Sequence, residues 1–265
     1  QKNDDNALEM YTLQCRNHIL KPLAEKYGID TSDEAIRAAV EQHNEVCRLI
    51  RAIGDFRKEA NPRVTGYEFH ILTLVSYVAP KHLIVDKLRE TLEEIKTREP
   101  DAADKYRARV VFVGSEVDDV DVIRLVEESG AYVCADRFCY GSLPGRDEII
   151  LNDEEDVVKQ VCRQVQGRAQ CPRYWDMAKM TGRRDYVADL AKEYGADGII
   201  YEQMKFCDPW AYERMIGTIV LRDEHGYPVL AVDRPYSIGS SGQMRTRVQA
   251  FVESIEIKKI QGGKK

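Results

Sequence analysis

Gly198-Ile199-Ile200-Tyr201-Glu202-Gln203-Met204, followed at once by Lys205-Phe206-Cys207-Asp208-Pro209-Trp210, decides how the fold is read. The first seven residues have the β-branched and aromatic content of a buried strand. Asp208 reads as an N-cap and Pro209 as the first helical position, so a helix runs over 209–221. The same unit recurs on both sides. A strand over 109–114 precedes a helix over 120–129 ended by Gly130. A strand over 132–135 precedes a helix over 154–166. A helix over 184–194, ended by Gly195, leads into the quoted strand, and a strand over 228–232 precedes a helix over 243–257. Four strands, each followed by a helix, predict an α/β domain with a parallel sheet flanked by helices on both faces.

Upstream the texture is helical. Thr31-Ser32-Asp33-Glu34 has capping-box spacing, and Ile36, Ala39, Val40, His43, Val46, Cys47, Ile50 and Ile53 form one apolar stripe behind it. Leu8, Tyr11, Cys15 and Ile19 form another, with Gly28 as its C-cap. Helices over 67–78 and 82–97 are closed by Pro80 and Pro100. The expected organisation is a helical region over 1–105, an α/β domain over 106–258 and a disordered lysine-rich tail over 259–265.

Composition narrows the function. The chain has 265 residues, with 39 Lys+Arg against 45 Asp+Glu and a formal charge of −6. No nucleic-acid partner is expected, because such binders carry a basic face. No run approaches the ~18 apolar residues of a membrane span, and the polar opening Gln1-Lys2-Asn3-Asp4-Asp5 is no secretory signal. The expected location is cytoplasmic, with the seven cysteines reduced.

Ligands of an open α/β sheet collect beyond the carboxyl ends of its strands. There the sequence delivers Gly114-Ser115-Glu116, Asp136-Arg137-Phe138-Cys139-Tyr140-Gly141-Ser142, Lys205-Phe206-Cys207-Asp208-Pro209-Trp210 and Asp233-Arg234. Cys207 stands just before a helix N-terminus, whose partial positive charge favours the thiolate that a metal or an electrophile needs. The same position also suits a cysteine that merely ends a strand. Cys139 has a similar place beside Arg137. Cys171, in the loop Gln170-Cys171-Pro172, is a further candidate ligand, whereas Cys15, Cys47, Cys134 and Cys162 read as core. Gly239-Ser240-Ser241-Gly242 reads as an anion loop or as a plain loop, and Gln243, Arg245 and Arg247 open the helix behind it. No zinc-type Cys-x-x-Cys pair and no phosphate-loop lysine occurs. A thiol-nucleophile hydrolase is disfavoured, since no His lies near a strand end in the sequence.

Several stretches carry a resemblance. Ala135-Asp136-Arg137-Phe138-Cys139-Tyr140-Gly141-Ser142, Asp197 through Pro209, Pro228-Val229-Leu230 and Gly242-Gln243-Met244-Arg245-Thr246-Arg247-Val248-Gln249-Ala250-Phe251, with the helical region from Thr31 to Asn44, together resemble the 2-hydroxyacyl-CoA dehydratase and benzoyl-CoA reductase superfamily, in particular its 2-hydroxyglutaryl-CoA dehydratase D-component-like subunits. The resemblance implies a flavodoxin-like domain with helical additions. It implies a 4Fe-4S or double-cubane iron–sulfur cluster, with Cys207 as a ligand and Cys139 as a second. It implies Arg137, Ser142, Gln243, Arg245 and Arg247 as substrate-binding residues. Its expected partners are a homologous second subunit (or a second copy), an ATP-dependent iron–sulfur activator and an acyl-CoA. The reaction it implies is radical dehydration of a 2-hydroxyacyl-CoA to an enoyl-CoA. The alternatives are benzoyl-CoA reduction, a double-cubane reductase, or a non-catalytic CoA- or partner-binding module. Family subunits are longer, so an amino-terminal α/β domain is expected to be missing from this sequence.

Overall fold

The computed structural model describes residues 4–100, 105–142, 147–168, 170–174, 177–236 and 241–262. Four strands, β1 (Ala108–Gly114), β2 (Ala131–Arg137), β3 (Gly198–Met204) and β4 (Val229–Arg234), form one all-parallel sheet in the order β2-β1-β3-β4. β3 occupies the residues expected of it. Val110, Phe112 and Ile200 face one way, onto α6 (Val120–Glu128) and α10 (Ser241–Gly262). Val111, Val113, Ile199 and Tyr201 face the other, onto α8 (Met177–Glu193) and α9 (Asp208–Asp223). Burial on both faces explains why the strands read as continuous apolar runs. The β1–β2 register slips between Val110 and Val111, leaving Cys134 as the extra residue, with its Sγ 3.3 Å from the Val110 carbonyl.

The helical part comprises α1 (Asp5–Cys15), a π-helical turn (Arg16–Leu20), α2 (Lys21–Tyr27), α3 (Asp33–Asp55), α4 (Gly66–Val78) and α5 (Lys81–Thr97). Gly28, at φ +64°, ends α2 as expected. Other boundaries differ. Ser32 rather than Thr31 caps α3, accepting from the Ala35 amide at 3.2 Å. The complete capping box belongs instead to Thr65 and Glu68 at α4. α7 (Val157–Arg168) starts three residues late, α8 starts well before residue 184, and α10 runs on to Gly262. Residues 259–262 are therefore helical rather than a disordered tail, and 263–265 lie outside the described residues. No described helix is long and apolar enough to cross a membrane.

The helical part is fastened to the sheet by buried polar groups. Glu127 of α6 accepts hydrogen bonds from the amides of Gly66 (2.8 Å), Tyr67 (3.1 Å) and Val133 (3.2 Å), filling the N-terminal donors of α4. Burial pushes the Glu127 carboxyl up to about 7, against the pull of those three donors. Because its folded value exceeds the unfolded one, its contribution to stability is complete below the unfolded value and is lost as pH rises through about 7. The unfolding free energy of the wild type, measured relative to Glu127→Gln, is thus expected to fall between about pH 5 and pH 8. A difference independent of pH contradicts this assignment.

Candidate functional site

The loop leaving β2 is wound around a buried carboxylate. Asp136 accepts from Arg57 Nη1 at 3.1 Å through Oδ1 and from the Ser142 amide at 2.6 Å through Oδ2. Ser142 Oγ donates to the Asp136 carbonyl at 3.2 Å. The Arg57 guanidinium, itself buried, also lies 3.6 Å from the Phe69 ring centroid. Gly141 closes the loop because a Cβ there would stand 2.4 Å from Asp136 Oδ2 and 2.7 Å from the Phe138 ring. Gly141→Ala is expected to cost about 1–3 kcal/mol and to speed alkylation of Cys139, read by urea denaturation and timed thiol labelling. Unchanged labelling kinetics count against this role for Gly141.

The ends of β1, β3 and β4 are tied by a second buried group. Glu202 Oε2 accepts from the Ser115 amide at 3.1 Å and from Ser115 Oγ at 2.8 Å, while Oε1 lies 2.9 Å from Arg234 Nε. Ser115 Oγ in turn accepts from the Met204 amide at 2.6 Å. Arg234 also donates to the carbonyls of Glu116, Pro235 and Tyr236. Glu202 thus fixes where the β3 exit loop departs.

That exit is strained. Phe206 adopts φ +71° and is 98% exposed, a left-handed conformation that a bulky residue seldom takes. Cys207 itself is the N-cap of α9, and Asp208, expected at that place, is the first helical residue. The Trp210 amide favours the Cys207 thiolate, although no capping hydrogen bond closes. Burial is the larger influence, and the thiol is raised above its ordinary value. The expectation of a thiol lowered by the helix end is therefore corrected: at this depth, losing water outweighs the helix terminus.

Cys139 adjoins two further thiols, one on each side. Cys139 and Cys207 pack on the core cluster that contains Trp210. A charge on Cys171 raises both of them, and burial pushes Cys139 up to about 11. Cys139 and Cys171 line a cavity of about 290 Å³ with Arg137, Gln170, Trp210 and His43. Trp210 Nε1 is buried without a hydrogen-bond partner; the indole favours the Cys139 thiolate. Arg137, 1% exposed, donates to Gln170 Oε1 at 3.2 and 3.1 Å and to its carbonyl at 2.5 Å, and its guanidinium lies 4.8 Å from the Trp210 ring centroid. It therefore ties the Cys171 loop to the end of β2. Among the described residues, no three His, Cys, Asp or Glu side chains are grouped closely enough to hold a metal ion. A second cavity of about 650 Å³ adjoins through Asp147, Arg168 and Gln170, with Arg51, Lys58 and Lys179 on its wall.

The remaining candidates stand elsewhere. Ser142 is buried in its loop. Gln243, Arg245 and Arg247 lie on α10 and line neither cavity. Arg245 pairs with Glu128 at 2.9 Å, and Arg247 donates to the Ala231 carbonyl at 2.6 Å, so their charges are engaged without an anion. Gly239 and Ser240 of the candidate anion loop, and Leu143–Arg146 beyond Ser142, lie outside the described residues. Sequence reasoning passed over Trp210 and Gln170. Trp210 carried one signal, its place three residues after Cys207, whereas Gln170 carried none.

A family model described as 2-hydroxyglutaryl-CoA dehydratase, D-component, matches residues 1–255. The chain is 25% identical over 230 residues to the (R)-phenyllactyl-CoA dehydratase beta subunit of Clostridium sporogenes, covering 86% of this chain and 59% of that protein. It is 22% identical over 259 residues to a benzoyl-CoA reductase subunit of Thauera aromatica, covering 96% and 65%. It is 24% identical over 260 residues to the (R)-2-hydroxyglutaryl-CoA dehydratase beta subunit of Acidaminococcus fermentans, covering 96% and 66%. The chain thus spans less than two-thirds of the length of these curated relatives.

Proposed function

This chain belongs to the 2-hydroxyglutaryl-CoA dehydratase D-component family, and from that premise we propose that it is the cluster-bearing part of a radical acyl-CoA enzyme that dehydrates a 2-hydroxyacyl-CoA. The observation that carries the reading is the placing of Cys139 beside Cys171 on one cavity wall and beside Cys207 on one core cluster, the three thiols being delivered by separate loops after β2, α7 and β3. Thiolates are the donors that iron–sulfur clusters take. Among the described residues the three sulfurs are not grouped closely enough for a single ion, and it is Cys139 that links them, sharing a cavity wall with Cys171 and a core cluster with Cys207. Cys139, Cys171 and Cys207, all candidate ligands in the sequence, would hold the cluster.

Bound there, a cluster supplies single electrons, which a 2-hydroxyacyl thioester needs before it can eliminate water. The chain's own residues prepare the place. Burial raises the Cys139 and Cys207 thiols, so a metal bound at either sulfur would displace its proton. Arg137 holds the Cys171 loop through Gln170, and Trp210 lines the cavity beside Cys139. An ATP-dependent activator, a homologous second subunit and a 4Fe-4S or double-cubane cluster complete the proposal. The likeness to the benzoyl-CoA reductase protein of Thauera aromatica keeps ring reduction as a second reading.

The test supplies the protein, anaerobically reconstituted with ferrous iron and sulfide, with a second family subunit, the activator, ATP and a 2-hydroxyacyl-CoA. Enoyl-CoA seen by mass spectrometry is the expected product. A reduced dienoyl-CoA from benzoyl-CoA, with no enoyl-CoA from the hydroxy substrate, selects the reductase. Turnover of neither thioester by a reconstituted complex leaves a binding module and overturns the proposal.

A further inference from the structure

Two thiols outside the candidate site sit in one cluster at the α1–α7 contact. Cys15, the last residue of α1, is half-buried, and Cys162 of α7 is buried. Both belong to a small apolar cluster with Leu8, Tyr11, Val158 and Ile36. Cys162 is a buried member of that cluster and Cys15 packs against it where α1 meets α7. Ion pairs Glu9–Lys159 and Arg16–Asp156 hold the two helices in register around them. Immediately after Cys15 the chain enters the π-helical turn Arg16–Leu20, a rare distortion of the helix.

We propose that Cys15 and Cys162 form a reversible disulfide by exchange with a small disulfide oxidant, stapling α1 to α7. The half-buried Cys15 thiolate attacks the oxidant R–S–S–R, forming a mixed disulfide and releasing one RS⁻. Cys162 then loses its proton to solvent and attacks Cys15 Sγ, expelling the second RS⁻. Two protein sulfurs are oxidised by two electrons, the oxidant is reduced to two thiols, and the two thiol protons balance the released thiolates. Burial and the neighbouring Cys15 push the Cys162 thiol up to about 12, so the second step is the slow one and quickens as pH rises. The staple bears on the cavity, because α7 also supplies Val165 and Arg168 to its wall.

The protein is incubated with oxidised glutathione at about pH 8 and trapped with an alkylating agent, and its peptides are mapped by mass spectrometry. The expected result is a cross-linked peptide joining Cys15 to Cys162, two hydrogens lighter than the free pair and cleaved by dithiothreitol. The oxidised form is expected to melt at least about 3 °C higher. Cys162→Ala is expected to stop at a glutathione adduct on Cys15, and Cys15→Ser to lose the cross-link while binding iron as the wild type does. Cross-links that join either residue to a different cysteine, or a persistent glutathione adduct on wild-type Cys15, overturn the proposal.

Discussion

Asp136→Ala is expected to destabilise the protein by about 3–5 kcal/mol, because it leaves a buried guanidinium without its counter-charge. Arg57 is 1% exposed, and its Nη1 is held by Asp136 Oδ1 at 3.1 Å. The same carboxylate accepts the Ser142 amide, so the loop carrying Cys139 loses its centre at the same time. Denaturant unfolding gives the magnitude. Arg57→Met with Asp136→Ala is expected to recover part of the loss, since removing both charges leaves none uncompensated. A single-variant cost below about 1 kcal/mol, the range of exposed pairs, contradicts the burial argument.

Gly114→Ala is expected to be comparably severe. A Cβ at that position would lie 2.2 Å from the Glu202 carbonyl oxygen and 2.8 Å from the Glu202 Oε2, and the backbone holds φ +155°. Neither neighbour can retreat: the carbonyl belongs to β3, and the side chain is fixed by Ser115 and Arg234. Overpacking and backbone strain together suggest a loss of about 3–5 kcal/mol. The β1–β3 junction should open first, so hydrogen exchange at Ser115 and Met204 should accelerate beyond that of α3. Uniform acceleration across the chain contradicts a local origin.

How much of this was legible depended on whether the cause was local. β3 was read residue for residue, because a buried parallel strand declares itself by an unbroken apolar run and its own bounding residues. Helix starts slipped where two capping residues stood side by side. Ser32 displaced Thr31, and Cys207 displaced Asp208, because the cap is chosen by backbone geometry as well as by side-chain type. Cys207 stood out by its position, yet its ionisation was misjudged, since burial is set by Trp210 and the surrounding core rather than by the helix it precedes. Cys171 reached the site through the pairing of Arg137 with Gln170. That pairing joins residues 33 apart, and no periodicity announces it.

Cys207 as an iron ligand is tested most directly by measuring iron and acid-labile sulfide in the anaerobically reconstituted protein, wild type beside Cys207→Ser and Cys15→Ser. The expected result is near-equal iron and sulfide with a brown chromophore in the wild type and in Cys15→Ser, and a severalfold loss of both in Cys207→Ser. Equal iron and sulfide in all three proteins would contradict that role.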